Sequence, residues 1–120
     1  MSKVLVADDA VFMRLMIRQI LAHRESIEIW EAENGQVAID LFNEHKPDLT
    51  FLDITMPIKD GFTTLQEILT IDPHAKIIMC SAVAQEKVVQ KAIEMGATDF
   101  LIKPFRPNKF LETVNKYLRV

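Results

Sequence analysis

The stretch KVLVADDA, residues Lys3 to Ala10, decides how this chain reads. Val4, Leu5, Val6 and Ala7 make an unbroken apolar run, the signature of a strand buried on both faces. Asp8 and Asp9 follow at once. Adjacent carboxylates repel, and setting them against apolar side chains costs free energy unless something compensates. A core strand that ends on two acids therefore raises a question of chemistry as well as of fold.

Outward from that stretch, short apolar runs alternate with longer amphipathic ones. Val11, Leu15, Ile20 and Leu21, joined by Phe12, Met16 and Ile17, give a helical stripe. IEIWEA (27–32) alternates as a half-buried edge strand does, and Asn34-Gly35 breaks the run before a second stripe of Val37, Ala38, Leu41 and Phe42. DLTFLD (48–53) is an apolar run ending on Asp53, and MPIKDG (56–61) is a loop by composition. Phe62, Leu65, Ile68 and Leu69 form the next helical face, stopped near Asp72-Pro73. KIIMCS (76–81) reads as another buried strand, and Val88, Val89, Ala92 and Ile93 as a helix face, with Gly96 suited to the left-handed stop. DFLIK (99–103) is a short strand. Pro107 fits a first helical position, and Phe110, Leu111, Val114 and Leu118 close the chain with a last stripe.

Strand–helix alternation with near-continuous apolar strands implies parallel strands covered on both faces, an open α/β sheet. The 120 residues suit one domain, 1–120, and 49% apolar against 26% charged residues supports a full core. A net charge of −3 argues against a nucleic-acid partner, which calls for a basic excess. The lone Cys80 excludes an internal disulfide and fits a reducing compartment. No apolar run is long enough to cross a membrane, and the early acid pair is wrong for a signal peptide. The expectation is a soluble cytoplasmic domain.

In a parallel sheet right-handed crossovers bring every strand's carboxyl end to one edge, where ligands bind near the point at which strand order reverses. Asp8 and Asp9 end the first strand, Asp53 the third and Lys103 the fifth, and Ser81 stands at the end of the fourth. Glu31 and Glu33 belong to the expected edge strand and should lie further off. Three carboxylates in one place raise one another's pKa. A divalent cation removes the conflict, and Mg²⁺ takes hard oxygens from one or two carboxylates, waters and phosphate groups. The same donors suit Mn²⁺. The carbonyl of Thr55 would add a ligand, Lys103 a fixed positive charge and Ser81 a hydroxyl. That set describes phosphoryl transfer with Asp53 as nucleophile. Taken singly, each residue has an ordinary explanation: Asp9 as a helix cap, Asp53 and Ser81 as turn residues, Lys103 as a solvated strand end, Phe100 as core. The functional reading rests on the set occupying strand ends together.

With ADDAVFMR, LDITMPIKDG, MCSA and DFLIKPF in this order and spacing, the chain resembles the receiver domains of two-component response regulators, in particular their single-domain chemotaxis (CheY-like) branch. The resemblance covers essentially the whole chain. It implies a flavodoxin-like five-stranded parallel sheet of order 2-1-3-4-5. It implies Mg²⁺ held by Asp8, Asp9, Asp53 and the Thr55 carbonyl, with phosphorylation on Asp53. Ser81 falls on the family's hydroxyl position, Lys103 on its lysine, and Phe100 on its aromatic switch position. Lys103-Pro104 matches a bond that is usually cis in receivers. Thr55 and Val83 fall on positions that tune phosphate lifetime.

The implied mechanism is a signalling switch that catalyses only its own phosphorylation and dephosphorylation. A chemotaxis histidine kinase donates the phosphoryl group, Ser81 moves to bind it, Phe100 turns inward, and the face of the fourth helix, fifth strand and fifth helix binds a target such as the flagellar motor switch protein. A dedicated phosphatase is a further expected partner, and the chain is expected to act as a monomer. Within the family the rival readings are a single-domain phosphorelay intermediate and a receiver fragment of a transcriptional regulator; Met1 and the end at Val120 favour a stand-alone protein, and DITMP and CSA favour chemotaxis. Outside it, a flavin module lacks its glycine-rich phosphate loop here, and a haloacid-type phosphatase lacks its second acid two residues on, since Ala10 and Val11 stand there.

Overall fold

In the computed structural model, which describes residues 2–22, 24, 26–83 and 85–118, strands and helices alternate from end to end. The strands are β1 (Ser2–Ala7), β2 (Ile27–Ala32), β3 (Leu49–Asp53), β4 (Ile77–Ser81) and β5 (Asp99–Ile102). The helices are α1 (Val11–Leu21), α2 (Gly35–His45), α3 (Gly61–Ile71), α4 (Glu86–Glu94) and α5 (Pro107–Tyr117). The strands form one parallel sheet of order β2-β1-β3-β4-β5, the flavodoxin-like arrangement. The chain runs from β1 out to the edge strand β2 and then crosses back to β3 on the other side of β1. The switch point therefore lies between the ends of β1 and β3, where Asp8 and Asp53 stand.

The unbroken apolar strands are divided between two cores by the two-residue period of the pleat. Val4 and Val6 face one way, with Leu49, Phe51, Ile78 and Cys80, and are covered by α1 and α5. Leu5 and Ala7 face the other way, with Leu52, Ile77 and Met79, under α2, α3 and α4. β2, at the edge, fully buries only Ala32. Local signals hold the helices in place. Asn34 and Asp60 cap α2 and α3 by accepting hydrogen bonds from the Val37 and Thr63 amides. Pro107 opens α5, and Gly96, at φ +106°, follows α4 in a conformation that disfavours any side chain. No helix among the described residues is long and apolar enough to cross a membrane.

The first helix corrects the sequence reading. Its buried stripe is Met13, Ile17 and Leu21, with Met16 and Ile20 at the margin, whereas Val11, Phe12 and Leu15 are 69%, 69% and 54% exposed. Apolar residues occur nearly all round this helix, so periodicity alone does not fix its phase; the turn at Asp8–Ala10 does. Ile93 of α4 is likewise on the outside, with Ala92 carrying the burial.

At the centre of the α1/α5 core, Phe110 is fully buried and stacks on Phe51 at 4.6 Å, with Phe105 at 5.3 Å. Phe110→Ala leaves a ring-sized void that neither neighbour can fill, and is expected to cost about 4 kcal/mol in a urea titration. A loss below about 1 kcal/mol would mean that this core collapses around the gap.

Candidate functional site

Three backbone ends set the geometry of the rim. Asp8 leaves β1 with its amide bonded to the Ala32 carbonyl of β2 at 3.0 Å. Its carboxylate is 3% exposed; Oδ1 accepts from the Ala10 amide at 2.9 Å, and Oδ2 from Lys103 Nζ at 2.5 Å. Asp9 is exposed. It does not cap α1, because Ala10 occupies the N-cap and no side chain bonds the first turn. The ordinary explanation of Asp9 thus falls away. Asp53, the last residue of β3, is 8% exposed, and its Oδ1 lies 3.3 Å from Lys103 Nζ. Gly61 packs directly on it: a Cβ there would come within 2.4 Å of the Asp53 carbonyl oxygen, so α3 can start this close to β3 only without a side chain.

One carboxylate oxygen each from Asp8, Asp9 and Asp53 lies within 4.8 Å of the others. Lys103 approaches from β5; its amide bonds the Ser81 carbonyl at 2.9 Å, and the Lys103–Pro104 peptide is cis. Ser81 is 5% exposed at the end of β4, where its Oγ accepts from the Val83 amide at 3.0 Å. Val83 itself is 48% exposed. Thr55 is exposed on the loop after β3 and gives Asp53 a backbone hydrogen bond. Phe100, opposite Met79 in the β4–β5 register, is partly buried against the core of the α2–α4 face.

The electrostatics are those of a crowded site. Burial first, and the Asp8 charge second, push the Asp53 carboxyl above its ordinary value, and Lys103 only partly offsets them. Burial alone would lower Lys103, but its bonds and charge pairing with Asp8 and Asp53 outweigh that and hold the ammonium above the ordinary lysine value. One lysine shared by two buried acids leaves negative charge in excess, with a third acid beside them. The donor set is all hard oxygen, one carboxylate faces solvent, and Asp53 carries an unfavourable charge that a dication would relieve; these residues fit Mg²⁺. Burial pushes the Cys80 thiol far up, which keeps it protonated and unreactive.

Glu31 and Glu33 do not join the acid cluster. Glu31 instead pairs with Arg14 and Arg18 of α1, which hold its carboxyl below the ordinary value against the effect of burial. Arg14 was not singled out from the sequence, yet its Nη1 donates to the Asp8 carbonyl at 2.5 Å. Its only sequence signal is an arginine one turn into the helix that follows the acid pair.

The profile of the response regulator receiver domain matches residues 4–115. The chain is 50% identical over 118 residues to Protein CcdB of Bacillus subtilis, covering 98% of each chain. It is also 50% identical over 116 residues to Chemotaxis protein CheY of the same organism, covering 97% of each. Among solved structures, a chain of the CheX–CheY–BeF3–Mg complex from Borrelia burgdorferi superposes with a TM-score of 0.90 at 34% identity, over 98% of this chain and 90% of that one. Acids at the ends of β1 and β3, a lysine from β5 and a matched profile over nearly the whole sheet agree: the chain belongs to the receiver domain family of two-component response regulators.

Proposed function

We propose that the chain is a stand-alone chemotaxis response regulator, cytoplasmic and monomeric, that accepts a phosphoryl group on Asp53 from a histidine kinase. The observation that carries this is the convergence of Asp8, Asp9 and Asp53 within 4.8 Å, with the Lys103 ammonium 3.3 Å from Asp53. Asp8, Asp9, Asp53 and the Thr55 carbonyl would hold Mg²⁺, and Mn²⁺ with the same donors. When bound, the ion neutralises charge on the transferred phosphoryl oxygens.

The chain's own groups do the rest. The free Asp53 oxygen attacks phosphorus in line; the new O–P bond forms as the P–N bond to the donor imidazole breaks, and the imidazole leaves with a proton from solvent. Lys103 Nζ, already between Asp8 and Asp53, turns to a phosphoryl oxygen. The Ser81 oxygen accepts from the Val83 amide, so its own proton is free to be donated to the phosphoryl group. That movement vacates space towards which Phe100 can rotate. Phe100 has no hydroxyl, so packing alone sets its two positions. The altered face of α4, β5 and α5 then binds a target such as the flagellar motor switch protein.

Acetyl phosphate labelling with and without chelator, followed by mapping the modified peptide, tests the reading. One phosphoryl group on Asp53, lost with chelator, is the expected result; label on another residue, or label indifferent to chelator, contradicts it. Pull-down of a flagellar switch protein, strengthened by beryllofluoride, is expected; capture of a histidine phosphotransfer domain alone would make the chain a phosphorelay intermediate.

Phosphate lifetime is expected to depend on Val83, whose apolar side chain offers no hydrogen bond to an attacking water, so that a dedicated phosphatase serves to end the signal. Val83→Asn should hasten loss of phosphate roughly fivefold, the worth of one hydrogen bond. An unchanged rate in a timed decay would remove Val83 from that role.

A further inference from the structure

Asp9 is the one acid of the cluster that neither burial nor a capping bond holds in place. Asp8 is fixed four times over: its amide by Ala32, its two carboxylate oxygens by Ala10 and Lys103, and its carbonyl by Arg14. The last contact matters most for Asp9. The Asp8 carbonyl lies in the same rigid peptide plane as the Asp9 nitrogen and Cα. A bond to that carbonyl therefore fixes where the Asp9 Cα stands beside the crevice, and so the point from which its side chain reaches.

Arg14 is well suited to hold it. Its side chain is 12% exposed, Nη1 donates to the Asp8 carbonyl at 2.5 Å, and Nε donates to Glu31 Oε1 at 3.0 Å. Arg18 holds the other Glu31 oxygen and also donates to the Ile29 carbonyl at 3.2 Å. Glu31 lies opposite Val6 in the β1–β2 register. The edge strand thus anchors the turn after β1 twice, directly through Ala32 and indirectly through Glu31 and Arg14.

We propose that Arg14, clamped by Glu31, is a positioning residue that aims Asp9 into the metal-binding crevice and so sets affinity for the dication. The inference rests on the reading of Asp8, Asp9 and Asp53 as a Mg²⁺ site. Guanidinium geometry is essential to it: a planar fork bonds the carbonyl and the carboxylate together, whereas a lysine ammonium on its flexible stem cannot reproduce both bonds. A positioning role also differs in sign from a field effect. Removing a cation near the crevice by charge alone would tighten Mg²⁺ binding.

The test is calorimetric Mg²⁺ binding by the wild type, Arg14→Lys and Arg14→Gln, with urea midpoints and the Mg²⁺ dependence of acetyl phosphate labelling alongside. Arg14→Lys keeps the charge and should raise the dissociation constant about tenfold, the cost of one lost hydrogen bond involving a charged group, and Arg14→Gln should also raise it, but by less, because the lost charge works the other way. The labelling rate at saturating Mg²⁺ should stay near wild type, because misaiming Asp9 weakens binding and leaves Asp53 and Lys103 in place. Tighter binding by Arg14→Gln would show a field effect only. An unchanged dissociation constant with a lowered urea midpoint would show a tie between α1 and β2 only. Either result overturns the proposal. If the Arg14 variants do not fold, the charge-balanced double variant Glu31→Ala, Arg18→Gln removes the acceptor that clamps Arg14 and keeps Arg14 itself; weaker Mg²⁺ binding is expected, and unchanged binding overturns the proposal. Absence of Mg²⁺ binding by the wild type would instead sink the site reading itself, and this inference with it.

Discussion

Asp53→Asn should abolish phosphoryl incorporation and, in the metal-free protein at neutral pH, raise the resistance of the fold to urea. The first effect follows from removing the proposed nucleophile, which costs several orders of magnitude in rate. The second follows from the surroundings of the carboxylate. Burial and the Asp8 charge lift its folded-state pKa above the ordinary 3.8. A raised pKa means that the folded state binds the Asp53 proton more tightly than the unfolded chain does. The resulting stabilisation is complete below the unfolded value and is lost as pH rises through the folded value. At neutral pH the ionised carboxylate therefore works against the fold, and a neutral amide of the same shape relieves it. The gain should shrink as pH falls towards 3.8, where the wild-type carboxyl is protonated too. Urea midpoints of both proteins across that range check it; a variant less stable than wild type at neutral pH would mean that the Lys103 contact outweighs the crowding.

Lys103→Met should be the most damaging single change at the rim. Its ammonium is 2.5 Å from Asp8 and 3.3 Å from Asp53, with only 15% of the side chain exposed. Removing it strands two buried carboxylates, which costs about 3 kcal/mol when one partner of a buried pair is lost. Lys103 titrates above its ordinary 10.5, so its contribution is complete below that value and fades only as pH rises through the higher folded value. Within the working range the loss should thus be insensitive to pH on the lysine's account. Saturating Mg²⁺ should restore much of it, since a ligand at a hundred times its dissociation constant contributes about 2.7 kcal/mol. Labelling should remain severely reduced even then, because no other side chain can meet the phosphoryl oxygen from β5. A variant as stable as wild type without metal would show that the two acids are not ionised together.

The sequence carried most of the fold because its strands are unambiguous. Unbroken apolar runs such as Val4–Ala7 and Ile77–Cys80 demand cover on both sides, and that demand implies parallel strands and convergent carboxyl ends. Asp8, Asp9, Asp53, Ser81 and Lys103 could be gathered in advance for the same reason: each stands where a strand stops. What could not be read depends on phase and register. The α1 stripe is Met13, Ile17 and Leu21 because the Asp8–Ala10 turn sets the start of the helix, and Val11, Phe12 and Leu15 face outward despite their hydropathy. Arg14 meets Glu31 only through the pairing of Val6 with Glu31 across two strands, which no local pattern encodes.

All of this depends on ionised acids sharing a rim because a dication can sit among them. Magnesium titrated into the wild-type protein in a calorimeter measures that directly. One ion per chain is expected, with binding severely weakened by Asp8→Asn, Asp9→Asn or Asp53→Asn. No measurable binding, or binding indifferent to all three changes, would contradict it.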